Sequence, residues 1–337
     1  MTHTEPATGF GLPEAPPLDG LRARFVVDDA DFEPLSALVR ECHAHDGTPW
    51  LPTSDNLRLA MHREGIDPAR DVVLVEANGR LIAITSVQRQ VRDDTPTYDL
   101  WGKVAPAMRR RGIGRWLLDW SLRRAAERAG IEDPDGDVAI LADADEPDIG
   151  ARTLYERAGF APVRQFFLMR HTDLDHVPAV PMPDGLEIRP VQPEQHRAIF
   201  GAENEAFRDH WGHHEMGEEA FRQTFAQDET NTALWVVAWD GDQVAGVVET
   251  WIWPDENERL GVRRGWLERI SVRRPWRRRG LGRALTAAAL RKVRAAGLDE
   301  AMLGVDAENP TGALGLYEDL GFAVTRRSAA YRRSLER

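Results

Sequence analysis

The sequence has 337 residues and a formal charge of −12, about twice the length of an ordinary domain, so two domains of roughly 150 residues each are expected. The acidic balance argues against a nucleic-acid partner, which calls for a basic face, and favours a cationic one such as an amine. One cysteine, Cys42, allows no internal disulfide, the start lacks a secretory pattern, and Arg, Asp or Glu interrupts every long apolar run. A cytoplasmic protein with no membrane partner is therefore expected.

Residues 1–19, rich in Pro, Gly and Thr, read as a flexible lead-in. Residues 20–171 then show a short strand, amphipathic helices, a run of strands, a long helix, a strand, a short helix and closing strands. Within this stretch, 72–76 and 80–87 are strands around Asn78-Gly79, a hairpin signal, and 98–104 is the next strand. Pro178, Pro181 and Pro183 mark 172–186 as a linker. Residues 187–337 repeat the order: 233–240 and 243–253 flank an Asp-Gly turn, 266–272 is the next strand, and 300–305 follows the long helix.

Two markers show that the chain is duplicated. Arg109-Arg110-Arg111-Gly112-Ile113-Gly114-Arg115 and Arg277-Arg278-Arg279-Gly280-Leu281-Gly282-Arg283 lie 168 residues apart, each between a strand and a long helix. Leu154-Tyr155-Glu156-Arg157-Ala158-Gly159-Phe160 matches Leu316-Tyr317-Glu318-Asp319-Leu320-Gly321-Phe322 at a spacing of 162. Strands precede both long helices, so each half is a mixed α/β layer structure.

A strand running into Arg-x-x-Gly-x-Gly and then a helix makes an anion cradle. Glycine lets the backbone approach a ligand, and the first helical N–H groups have no intrahelical partner. Flanking arginines add charge-assisted bonds suited to a pyrophosphate. Leu117 and Leu285 stand where a dinucleotide fingerprint needs its third glycine, and no Gly-Lys-Ser/Thr of a P-loop is present. The remaining pattern resembles motif A of the GNAT superfamily of N-acetyltransferases, and 309–322 is similar to its motif B. The resemblance covers nearly all of 187–337 and, less tightly, 20–171.

The resemblance implies an α/β fold of two tandem domains, each a mixed, mostly antiparallel sheet flanked by helices. It implies acetyl-CoA as acyl donor. The coenzyme would be held in the second copy by Ile270, Ser271, Val272, the loop Arg277 to Arg283 and Asn309, and in the first by Val104 and the loop Arg109 to Arg115. It further implies Tyr317 as the acid for the departing thiolate, and a backbone amide at or beside Ile270 as oxyanion donor.

An alkylammonium, with a pKa of about 10, must lose a proton before it attacks a thioester. Strand alternation puts Trp266, Glu268, Ile270 and Val272 on one face, and the resemblance implies a base just before the coenzyme-contacting positions, so Glu268 is the candidate base and Glu249, one strand away, the runner-up. In the first copy Leu100 aligns with Glu268 and Pro147 with Asn309, so that domain is expected to be non-catalytic; Asp99 points to the opposite face of a regular strand. The cluster 209–215 is expected to line the acceptor pocket rather than hold a metal, and Cys42 is expected to be packing. The sum is acetyl transfer to the primary amine of a small molecule by a monomer or homodimer. The alternative is a non-catalytic acyl-CoA-binding sensor or scaffold.

Overall fold

The computed structural model describes residues 15–92, 94–213, 215–226, 230–309 and 312–335. The chain divides into two compact units, residues 1–163 with 329–337, and residues 164–328. Most of the expected lead-in falls outside the described residues. Of the remainder, Leu18 packs on the first core and Pro16 lies 3.5 Å from where a Cβ on Gly112 would stand.

The first unit runs β1 (Leu21–Phe25), α1 (Phe32–Asp46), α2 (Ser54–Met61), α3 (Pro68–Asp71), β2 (Val72–Ala77), β3 (Arg80–Arg92), β4 (Thr95–Val104), α4 (Ile113–Glu132), β5 (Ala139–Asp145), α5 (Ile149–Arg157) and the start of β6 (Ala161–His171). Strands β1 to β5 follow one another in the sheet, antiparallel except for the parallel β4–β5 pair. Asn78 and Gly79 both take positive φ, 51° and 78°, in the β2–β3 turn, the type I′ geometry that matches strand twist. The β3–β4 hairpin runs on to Arg92↔Thr95, beyond the expected strand ends at 87 and 98, because those polar residues carry no apolar alternation to mark it.

The second unit holds the rest of β6, then β7 (Glu187–Arg189), α6 (His196–Phe207), α7 (Glu218–Ala226), β8 (Val236–Asp240), β9 (Gln243–Trp251), α8 (Pro254–Leu260), β10 (Arg264–Val272), α9 (Leu281–Ala295), β11 (Glu300–Asp306), α10 (Ala313–Asp319) and β12 (Ala323–Ser334) as far as Ser328. Its strand order is β12-β6-β11-β10-β9-β8-β7, with β10–β11 parallel. The β8–β9 turn has Gly241 and Asp242 as its central pair, and only Gly241, at 55°, has positive φ. It is therefore a type II′ turn rather than one centred on Asp-Gly.

Neighbouring residues of β9 serve different cores. Val247 and Trp251 pack with Ile199 of α6, while Val248 packs with Leu285 and Leu290 of α9. The sheet is thus covered by α6 on one face and α9 on the other. Leu285 and Leu290 have no exposed surface, and burying each contributes about 1.5–3 kcal/mol.

The stretch expected to be a linker packs along α9: Leu174 and Leu186 are buried there, and Arg291 donates to the Pro178 carbonyl at 3.0 Å. The last residues of β12 belong to the first unit, where Tyr331 joins the core. Among the described residues no helix is long and apolar enough to cross a membrane.

Candidate active site

The two glycine loops share one backbone conformation. Arg110 and Gly112 have φ of 62° and 87°, and Arg278 and Gly280 have 60° and 81°. In each loop an extended residue, Arg109 or Arg277, precedes the first left-handed one. The first helical bonds run from Trp116 N to Gly112 O and from Ala284 N to Gly280 O, so the amides of Ile113 to Arg115 and Leu281 to Arg283 lie ahead of the helical ladder. The loops therefore fit a pyrophosphate through backbone donors.

The arginines divide their work differently from what the motif suggests. Arg277 donates through Nε to the Val272 carbonyl at 2.9 Å and through Nη2 to that of Ala206 at 2.9 Å, and its remaining nitrogen pairs with Asp209. Arg109 repeats this, with Nε on Val104 O at 3.0 Å and both terminal nitrogens on Asp46 at 2.6 and 2.7 Å. Both guanidinium groups pin the loop to the end of the first helix of the repeat. Arg279 reaches the Asp184 carbonyl at 3.1 Å, while Arg110, Arg111 and Arg278 stand exposed.

The strand before the loop is where the copies part. In β4 every residue from Thr95 to Val104 has its partner on β3. In β10, Leu267 faces Thr250 and Arg269 faces Glu249, so Glu268 is an extra residue in a bulge. Val87 lies four residues past Ala83, the partner of Val104, and Thr250 lies four past Gly246, the partner of Val272. Their opposites, Leu100 and Leu267, therefore correspond, and Glu268 has no counterpart in the first unit. The expected shared face of Trp266, Glu268, Ile270 and Val272 fails for the same reason. Trp266 packs with the α6 core, whereas Ile270 and Val272 join Leu267 on the α9 core, because one inserted residue reverses the alternation.

The pairing with the parallel neighbour differs as well. Strand β10 pairs with β11 only as far as Trp266↔Met302, while β4 stays paired with β5 through Leu100↔Ala142. The second unit's parallel ladder thus ends one residue earlier, and Glu268 with the backbone of Ile270 to Val272 lies beyond its last pair, in the cleft between the parting strands. Gly304 of β11 has nothing within 4 Å of where its Cβ would stand.

Glu268 is accessible to solvent yet surrounded by protein, and that desolvation, with the charges of Glu249 and Glu256, raises its pKa against a bond from Trp253. Glu249 is buried and accepts from Trp251 Nε1 at 3.1 Å. Buried Glu203 is raised well above the carboxylate range by desolvation and by Glu249. Glu256 accepts from Trp266 Nε1 at 2.9 Å. Tyr317 is buried with its ring 6.0 Å from Phe322 in an edge contact, and burial pushes its phenol up. Asn309 stands in the turn after β11, its amide on Asp306 O at 3.1 Å.

In the first unit Asp148 makes the equivalent bond to Asp145 at 2.9 Å, so Asp148, not Pro147, stands in the place of Asn309. Two residues before Asp145 is Asp143, in the place of Gly304, its pKa pushed up to about 6 by desolvation and by Asp99. Asp99 itself pairs with Arg92. Tyr155 stacks at a tilt with Phe160 and Tyr331. Cys42 is buried, donates to Val104 O at 3.4 Å and has its thiol pKa raised by burial.

In the cluster 209–215, Asp209 is held by Arg274 and Arg277, and Trp211 packs against Phe166 at 5.9 Å; His214 lies outside the described residues. The sequence reading missed Glu203, Arg269, Asp143 and the bulge. The bulge has a signal, the apolar spacing Leu267, Ile270, Val272 against Leu100, Gly102, Val104 in the regular strand.

Two family models match the chain, one described as the Acetyltransferase (GNAT) family over residues 196–322 and one as the Acetyltransferase (GNAT) domain over residues 68–162. The mycothiol acetyltransferase of Geodermatophilus obscurus is 30% identical over 312 residues, 91% of this chain and 96% of that protein. The protein of the same name from Salinispora arenicola is 33% identical over 311 residues, 91% and 95% of the two chains. Among solved structures, the GCN5-related N-acetyltransferase from Sphaerobacter thermophilus is similar with a TM-score of 0.72 at 27% identity, covering 96% of each chain.

Proposed function

The chain belongs to the GNAT family of acetyl-CoA-dependent N-acetyltransferases, and we propose that its second unit acetylates the primary amine of a small cationic molecule while the first unit does not turn over. Acetyl-CoA supplies the acetyl group as a thioester. The amides of Leu281 to Arg283 hold the pyrophosphate, and the backbone of Ile270 to Val272 lies along the cleft, where an amide faces the thioester oxygen. Glu268, directly or through a water, takes the proton of the ammonium; the amine nitrogen then bonds to the carbonyl carbon as the carbon–sulfur bond breaks. Tyr317 donates to the departing sulfur, a role suited to a phenol that burial keeps protonated, and the proton that the new amide nitrogen sheds returns to its phenolate while Glu268 gives its own proton to solvent.

The observation that carries this reading is the bulged Glu268, its pKa raised by desolvation, at the point where β10 parts from β11. In the first unit the bulge is absent, and Asp143 and Asp148 replace Gly304 and Asn309 with negative charge. Glu268, with the carboxyl groups of Glu249 and Glu256 near enough to act on it, makes this part of the second cleft acidic, which favours a cationic acceptor. The relatives' name makes acceptors of the mycothiol type the first to try.

The test is release of free thiol from acetyl-CoA across a panel of such acceptors, other cationic amines, and neutral and anionic controls. Turnover confined to cationic amines is expected. Preference for an anionic or hydroxyl acceptor overturns the reading.

A further inference from the structure

An apolar phase break from Leu267 to Ile270 requires one extra residue in β10, but either Glu268 or Arg269 could be that residue. A buried trio decides. Glu203 of α6 is 1% exposed and Glu249 of β9 is 2% exposed. Arg269 lies opposite Glu249 across the strands, bonds Glu203 Oε1 through Nε at 3.3 Å, and stacks its guanidinium 4.2 Å from the centre of the Phe207 ring. We infer that Glu203, Arg269 and Glu249 are positioning residues for the reaction: by locking Arg269 on the α6 side they leave Glu268 as the bulged residue, turned to the accessible cleft. This rests on Glu268 being the base.

The alternative register shows why the lock is strong. In a regular strand Arg269 would share the face of Leu267 and enter the apolar α9 core, where its charge would have no partner. The buried carboxyl groups of Glu203 and Glu249 would then lose the guanidinium beside them. The trio and the bulge also come and go together within this chain. Ser86 and Trp101 face each other where Glu249 and Arg269 do in the second unit, and β4 is regular there. Counting six residues back from Asp46 and from Asp209 makes Arg40 the counterpart of Glu203; its guanidinium goes to Pro52 O and Glu33.

The test compares Glu249→Gln, Arg269→Lys, Glu268→Gln and the Arg269→Lys/Glu268→Gln double variant in the full chain. Glu249→Gln and Arg269→Lys should each lower kcat roughly 10- to 100-fold with KM for acetyl-CoA within about twofold. Because the trio acts through Glu268, Arg269→Lys should cost almost nothing further in the Glu268→Gln background. Native kcat in both trio variants beside a damaged Glu268→Gln overturns the positioning role alone, as do losses that simply multiply in the double variant. Native kcat in Glu268→Gln overturns the base assignment on which the role depends.

Discussion

Leu100 in β4 and Leu267 in β10 hold the same place in their sheets, opposite Val87 and Thr250, yet Leu267 stands one residue farther from its glycine loop. Glu268 is the difference. Glu268→Gln should preserve fold and coenzyme affinity and lower kcat roughly 10²- to 10⁴-fold. Desolvation raises the Glu268 pKa, so the acid limb of the native profile should lie above the ordinary glutamate value of about 4.3. The native rate falls as pH drops through that raised value, because the base becomes protonated. The variant lacks that limb and should gain rate with pH as free amine accumulates. A profile parallel to the native one at near-native rate removes Glu268 from the mechanism.

The two loops are alike in backbone but unequal in consequence. A Cβ on Gly282 would meet Leu316 Cδ1 at 3.5 Å and Val272 Cγ2 at 3.7 Å, ordinary contacts, so Gly282→Glu should fold. Its carboxylate should nevertheless repel the pyrophosphate and abolish turnover. Gly114→Glu should leave most activity while removing one of two acetyl-CoA equivalents in a calorimetric titration of the full chain. Equal loss of turnover in both folded variants would sink the assignment of catalysis to the second unit.

Tyr317→Phe separates packing from proton donation. The ring keeps its edge contact with Phe322, so the melting temperature should stay within a few degrees. Loss of the hydroxyl should lower kcat roughly 10- to 10³-fold, and raising the pH should not restore it. A native rate would leave Tyr317 only its place in the core.

Asp209 braces the second loop through Arg274 and Arg277, which hold its carboxyl well below the usual range. A depressed carboxylate pKa adds stability that is complete above the unfolded value of about 3.9 and is lost as pH falls toward the folded one. Asp209→Asn should therefore cost about 1–2 kcal/mol at neutral pH, allowing for its partial exposure. In urea unfolding the gap from the native chain should hold from pH 7 to 5 and narrow below pH 4. A gap that is unchanged at low pH would contradict the brace.

The sequence by itself determined the duplication, the α/β class, both glycine loops and the β2–β3 turn, because each is set within a few residues by glycine conformation or apolar alternation. The resemblance to the GNAT motifs also singled out Glu268 and Tyr317 as the proposed base and acid. Only the tertiary structure decided that Glu268 is an inserted residue with no equivalent in β4, since register depends on what β9 and α6 present to Arg269. Only it showed that Arg109 and Arg277 are committed to Asp46 and Asp209, because those carboxylates lie 63 and 68 residues away in the chain. The placement of Asp143 and Asp148, and of Tyr331 in the core of the first unit, likewise waited on strand pairing. A bulge or an exchanged strand end is an outcome of competition among distant partners, and no local pattern records which partner wins.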